Sequence, residues 1–146
     1  MEQVAKFMLL GVPAWALTCH LIGDFFFQSN WMALEKKKCG TALWTHCFVY
    51  SVVMALGYLG NVGTHNAWAF FLFTYGLHIL TDALTSQMTS ALWFVQQFSV
   101  DKAAVDGADC FYGQYNPRLR HWFFVAIGVD QLLHYLALAW TLQLVR

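Results

Sequence analysis

Aspartate and histidine occur together, four residues apart, in three apolar stretches of this 146-residue chain. A separation of four residues is just over one helical turn, so both side chains of a pair project from the same face of a helix. The three pairs, and a further histidine in another apolar stretch, are His20 with Asp24, His78 with Asp82, Asp130 with His134, and His46. Ionisable groups are costly in apolar surroundings, so their repetition indicates a shared polar site with a function.

Imidazole nitrogen and carboxylate oxygen together are typical ligands of zinc, iron and manganese. The seven residues are therefore candidate ligands of one or two divalent ions. A bound ion would offset the cost of burying three carboxylates. If one coordination position held water, the lowered pKa of that water would supply a nucleophile at neutral pH, and the site would be a metal-dependent hydrolase. No serine or cysteine stands in a nucleophile motif that offers another hydrolytic mechanism.

Further polar residues are placed to orient these ligands, because metal-bound imidazoles and carboxylates usually need additional hydrogen bonds. These candidates are Gln28, Tyr50 and Gln131. Interhelical hydrogen bonds without a metal are an equally good explanation for the same three residues.

The elements that carry these residues are membrane-spanning helices. Apolar residues make up 59% of the chain and charged residues only 11%, which is typical of an integral membrane protein. A net charge of zero argues against nucleic acid as a partner. Stretches at about 7–28, 41–59, 67–87 and 122–144 each approach the ~20 residues that a spanning helix needs. We expect an all-α bundle of four transmembrane helices, forming one domain over residues 1–146.

The connections predict the orientation of this bundle. An amphipathic stretch at 91–98 predicts a short interfacial helix, followed by a polar loop before the last span. Lysine and arginine occur in the first and third loops, whereas the loop at 60–66 has neither. By the positive-inside rule the first and third loops are cytoplasmic and both termini are non-cytoplasmic, in the inner membrane if the chain is encoded by a bacterium or phage.

The His and Asp residues then all lie in the cytoplasmic half of the bundle, since a helix rises about 1.5 Å per residue. A site there would act on membrane lipid or a lipid-like substrate. Arg118 and Arg120, at the start of the last span, are candidates for binding an anionic head group, although interfacial arginines also extend toward lipid head groups without a substrate. Remaining apolar surface on four small helices is compatible with a homo-oligomer.

The motifs His20-x3-Asp24-x3-Gln28, His78-x3-Asp82 and Asp130-Gln131-x2-His134 resemble a known family. It is the group of bacterial and phage membrane proteins called domain of unknown function 3307, and the resemblance extends from about residue 16 to 138. It implies the helical membrane architecture and the polar residues but no activity.

Three other functions remain open on the sequence. Paired histidines on transmembrane helices can bind haem, although haem does not require an aspartate one turn from each ligand. Chains of Asp and His can form a proton or ion pathway, but the far half of each span has few ionisable residues. The pairs can also be structural hydrogen bonds between helices, in an accessory or interaction protein without enzymatic activity.

Overall fold

Helices make up most of the protein. The computed structural model describes the backbone of residues 8–9, 11–38, 40–105 and 117–145, and the side chains of these residues except 8–9, 34, 37, 93–105 and 117–120. The described elements follow in chain order: β1 (Met8–Leu9), β2 (Val12–Pro13), α1 (Ala14–Leu21), a π-helical turn (Ile22–Phe26), α2 (Asn30–Glu35), a 3-10 turn (Lys36–Lys38), α3 (Thr41–Asn61), α4 (Ala67–Val105) and α5 (Pro117–Leu144). The prediction of a mainly helical fold is confirmed.

Three of the described helices are long and apolar enough to cross a bilayer. These segments are Thr41–Asn61, Ala67–Leu92 and His121–Leu144, close to three of the predicted spans. Large apolar side chains on their outer surfaces, such as Leu56 and Leu72, are more than half exposed. Such surfaces are stable against lipid and unfavourable against water, so the structure indicates a membrane protein.

The first predicted span, 7–28, is not one continuous helix. Gly11, with φ of +92°, allows the chain to turn between β1 and β2. Pro13 lacks an N–H and stands as the N-cap of α1. Helical structure then covers residues 14–26, a length of about 20 Å. Because a bilayer core is about 30 Å thick, a bundle of four spanning helices is not confirmed.

The segment 91–98, predicted as a separate interfacial helix, is continuous with α4, which runs from Ala67 to Val105. No glycine or proline occurs between Gly76 and Gly107, so the sequence contains no strong helix breaker in this part of the chain. The polar loop predicted directly after residue 98 is wrong in its first part, because α4 continues to Val105, and its part at 106–116 lies outside the described residues.

An apolar core fills one end of the bundle. Its buried residues come from β2, from α1, α3, α4 and α5, and from the residue that follows α5: Val12, Ala16, Tyr50, Met54, Tyr58, Phe70, Leu138, Leu142 and Val145. Val12 and Val145 both belong to this core, so the start of α1 and the end of α5 lie at the same end of the bundle. The Asp and His side chains occupy the part of the bundle toward the π-helical turn and the 3-10 turn.

Candidate metal centre

The π-helical turn brings the end of the first helical segment close to α3. A Cβ added at Gly23 would lie 3.0 Å from Tyr50 Cδ2 and 3.4 Å from its Cα, so a larger residue would force the two segments apart. A π-helical turn also rotates the side chains that follow it, relative to a regular α-helix. In this position Asp24 is buried and its Oδ1 lies 3.2 Å from His46 Nε2.

Three buried side chains converge around His46 Nε2. This atom lies 3.2 Å from Asp24 Oδ1, 3.2 Å from His78 Nε2 and 3.3 Å from Asp82 Oδ2. His46 Nε2 carries at most one hydrogen, which can form one well-aligned hydrogen bond. These three contacts therefore cannot all be good hydrogen bonds. Ligand atoms at about 2.0–2.1 Å from a tetrahedral ion are roughly 3.3 Å apart, which is the spacing observed here.

His134 presents a third imidazole nitrogen to the same cluster. Its Nδ1 donates to the backbone oxygen of Asp130 at 2.9 Å, which leaves the lone pair on Nε2. That Nε2 is buried without a hydrogen-bond partner among the described residues, and it lies 3.6 Å from Asp82 Oδ1. A hydrogen bond to one ring nitrogen is the usual way in which the other is oriented for a metal.

A continuous set of hydrogen bonds orients two of the carboxylates. The Tyr50 hydroxyl donates to His20 Nδ1 at 2.9 Å, and His20 Nε2 donates to Gln131 Oε1 at 3.1 Å. The amide nitrogen of Gln131 then donates to Asp24 Oδ2 at 3.2 Å and to Asp130 Oδ2 at 3.1 Å. Every donor in this set points toward the carboxylates, so the set fixes the orientation of Asp24 and Asp130.

Lys36 is a residue of the cluster that the sequence did not predict. Its ammonium, on the 3-10 turn, lies 3.1 and 3.2 Å from the two oxygens of Asp82. Burial lowers the pKa of Lys36, but the carboxylates of Asp82 and Asp24 raise it by more, so the pKa lies above its ordinary value. Lys36 belongs to a run of three lysines that the positive-inside rule assigns to the membrane surface. One feature of the sequence could have indicated an inward-facing lysine: the predicted spans contain three aspartates and no lysine or arginine to balance their charge.

Three groups of side chains each offer three potential ligand atoms within 4.8 Å of one another. The groups are Asp24, His78 and His134; His46, His78 and Asp82; and Asp82, Asp130 and His134. They contain six of the seven predicted ligands. His20 is in none of them, and both of its ring nitrogens have other partners. The buried cluster could therefore hold a metal ion without His20.

The other polar residues near the cluster, and the remaining predicted candidates, have different surroundings. Thr85 on α4 donates to Asp130 Oδ1, a contact that the sequence did not predict. Gln28 lies at the edge of the cluster, where its Nε2 is buried without a hydrogen-bond partner among the described residues. The side chains of Arg118 and Arg120 lie outside the described residues, so their predicted anion contact stays a prediction.

Most residues of this cluster, though not His46 or Lys36, are also those that carry the family resemblance. The family model described as "Protein of unknown function (DUF3307)" matches residues 13–145. No curated protein and no solved structure matches the chain. The family match covers all of the helices and every residue of the polar cluster. The chain therefore belongs to the DUF3307 family.

Proposed function

We propose that this integral membrane protein binds a divalent metal ion through its His/Asp cluster and uses it to hydrolyse a lipid or lipid-linked substrate. The observation that carries the proposal is the crowding at His46 Nε2, which has three potential ligand atoms within 3.3 Å. Roughly tetrahedral spacing and nitrogen and oxygen donors favour zinc, with iron and manganese as alternatives.

The charges of the cluster support a divalent cation. Three ionised aspartates against the single ammonium of Lys36 leave two negative charges when the histidines are neutral. Burying uncompensated charge costs several kcal/mol per ion even after the protein relaxes. One divalent ion would neutralise both remaining charges.

The side chains then have separate roles. His46, His78 and Asp82 are the proposed ligands, because they form one of the groups with converging donor atoms. His134 is placed to complete the coordination, because its Nε2 is oriented and has no hydrogen-bond partner in the part of the chain that the structure describes. His20 orients Gln131 and through it the carboxylates, so we assign it a positioning role.

When bound, a divalent ion held by His46, His78 and Asp82 would lower the pKa of water and so supply a nucleophile. In hydrolysis the water oxygen forms a bond to the carbonyl carbon or phosphorus, the bond to the leaving oxygen breaks, and that oxygen takes a proton. Asp130 is placed to carry this proton. Its side chain is 17% exposed, against 6% for Asp24 and 1% for Asp82, so it is the carboxylate that water and substrate reach most easily.

A metal-free interaction protein is the second candidate. The contacts of Lys36 with Asp82, and of Gln131 with Asp24 and Asp130, partly satisfy the carboxylates without an ion. Haem has less support, because His46 and His78 approach each other to 3.2 Å and leave no slot for a flat macrocycle. A proton pathway also has less support, because the apolar core contains no Asp, Glu, Lys, Arg or His.

Elemental analysis of protein purified in dodecyl maltoside tests the proposal. We expect about one zinc, iron or manganese ion per wild-type chain and a loss of most of it in His78→Ala, which removes a central ligand. His65→Ala is the matched control, because His65 is exposed between α3 and α4, and it should keep the metal. Folded wild-type protein without metal would overturn the proposal and favour the interaction protein.

A further inference from the structure

A cavity of about 300 Å³ adjoins the His/Asp cluster. Asp24, Asp130 and Gln131 form the wall that it shares with the cluster, and other walls come from the 3-10 turn and from α4. Ligand sites generally occupy about 300–1,000 Å³, so this cavity has room for a head group and not for a whole lipid.

Three residues from different segments, each with a hydrogen-bond donor, line this cavity. They are Lys36, whose ammonium also contacts Asp82, Gln28 and Ser86. Gln28 Nε2 and Ser86 Oγ are both buried without a hydrogen-bond partner among the described residues, and Ser86 is only 4% exposed. Buried polar groups are normally hydrogen-bonded, so unsatisfied donors at a cavity wall indicate a ligand that brings acceptor oxygens.

The cavity also has an apolar lining. Phe25, Phe123 and Ile127 contribute to its lining. Phe25 is also 49% exposed on the outside of the protein, and the neighbouring Phe26 and Phe27 are exposed as well. A ligand in the cavity can therefore keep its polar group beside Lys36 while its hydrocarbon part passes Phe25 into the lipid.

We propose that this cavity binds the phosphate group of a phosphorylated amphiphile. A phosphate group offers several charged acceptor oxygens, which matches one ammonium, one amide and one hydroxyl. The inference rests on the proposed metal site, because the carboxylates of Asp24 and Asp130 would repel an anion unless a divalent cation neutralised them.

Binding to the zinc-loaded full-length protein in dodecyl maltoside tests this inference by titration calorimetry. The probes are inorganic phosphate, dioctanoyl phosphatidate and dioctanoylglycerol, which lacks the phosphate. We expect phosphatidate to bind at least about tenfold more tightly than dioctanoylglycerol. Binding of inorganic phosphate as well would identify free phosphate as a ligand, whereas binding of phosphatidate alone would identify a lipid head group. Equal binding of phosphatidate and dioctanoylglycerol would overturn the inference.

Two variants test the cavity itself. Ser86→Ala should weaken phosphatidate binding about tenfold, because it removes a hydrogen bond to a charged group. Its control is Ser51→Ala, another buried serine, whose hydroxyl already donates to the Cys47 backbone oxygen. Gln28→Glu puts a negative charge in the cavity and should abolish phosphatidate binding. Equal affinities in Ser86→Ala and Ser51→Ala, or unchanged affinity in Gln28→Glu, would contradict the inference.

Metal content measured on the same samples separates the two proposals. If the wild-type protein holds zinc and does not distinguish phosphatidate from dioctanoylglycerol, the phosphate site is wrong and the metal site stands. If the protein holds no zinc, iron or manganese, the proposed function itself fails.

Discussion

Asp82 is contacted from three other parts of the chain. Lys36 binds both of its oxygens, while His46 Nε2 lies 3.3 Å from Oδ2 and His134 Nε2 lies 3.6 Å from Oδ1. Its side chain is only 1% exposed. A carboxylate buried to this extent depends on its partners for stability, so substitutions around Asp82 are the most informative ones at the residue scale.

We expect Asp82→Asn to weaken zinc binding by about 100-fold or more, because an amide oxygen of the same size brings no negative charge to the ion. Asp130→Asn is the matched substitution at the proposed proton carrier, and it should change zinc affinity by less than about tenfold. Chelator competition measures both affinities. Equal losses in the two variants would show that Asp130 is a ligand and would contradict its assigned role.

We expect Lys36→Gln to lower the unfolding free energy of metal-free protein by about 3 kcal/mol, because Asp82 would lose the partner of its buried charge. Added zinc should restore much of this stability. Lys38→Gln is the control on the same turn: the Lys38 side chain is 65% exposed, and an exposed pair with Glu35 contributes about 0–1 kcal/mol. Thermal unfolding in detergent provides the comparison, and similar destabilisation by both changes would count against an internal role for Lys36.

The sequence predicted the His and Asp residues of the site because their four-residue spacing depends only on helix geometry. It did not predict Lys36, since neighbouring lysines in one short segment have the same local character. Which of them turns inward depends on the position of Asp82, 46 residues away in sequence. Thr85 was missed for a similar reason: its contact with Asp130 depends on how α4 packs against α5.

At the scale of elements, the π-helical turn decides where Asp24 lies. Gly23 permits the close approach to Tyr50, and Tyr50 in turn stacks on His78 with ring centroids 3.7 Å apart. The turn, α3 and α4 therefore pack together around the cluster. Regular helical periodicity cannot predict a π-helical turn, because its extra residue arises from packing and not from a local sequence signal.

We expect Gly23→Ala to destabilise the protein by about 1–3 kcal/mol and to reduce its zinc content, because the new methyl group would push the π-helical turn away from Tyr50. Gly76→Ala is the control, since a Cβ there would meet nothing within 4 Å. In the interior of α4 that change should be neutral or stabilising by up to about 1 kcal/mol. Thermal unfolding and elemental analysis report the two effects, and a Gly23→Ala protein with wild-type stability and zinc content would show that the close approach is unimportant.

At the scale of the whole molecule, the polar cluster and the apolar core occupy different parts of one bundle. Sequence hydropathy located three of the spanning helices, because long apolar stretches have few alternatives in a membrane. It overestimated the first helix, because a hydropathy window does not register the turn at Gly11 and the cap at Pro13. The matching depths of the His and Asp residues were predictable from helical rise alone.

Packing at the apolar core makes a prediction about topology. Val12 and Val145 lie in the same core at one end of the bundle, so the chain before α1 and the chain after α5 should be on the same side of the membrane. Reporter fusions to the two ends of the chain, one active only in the cytoplasm and one active only outside it, provide the measurement. Ends on opposite sides would mean that the first helical segment does not traverse the membrane.

The most direct test of the metal centre is X-ray absorption spectroscopy of the purified protein, at the edge of the metal that elemental analysis identifies. For zinc we predict nitrogen and oxygen ligands at about 2.0–2.1 Å, with the multiple scattering of two or three imidazoles. In Asp82→Asn the metal signal should disappear, or the atoms bound directly to the metal should change. A shell dominated by sulfur at about 2.3 Å, or wild-type protein with no metal edge above background, would contradict the account.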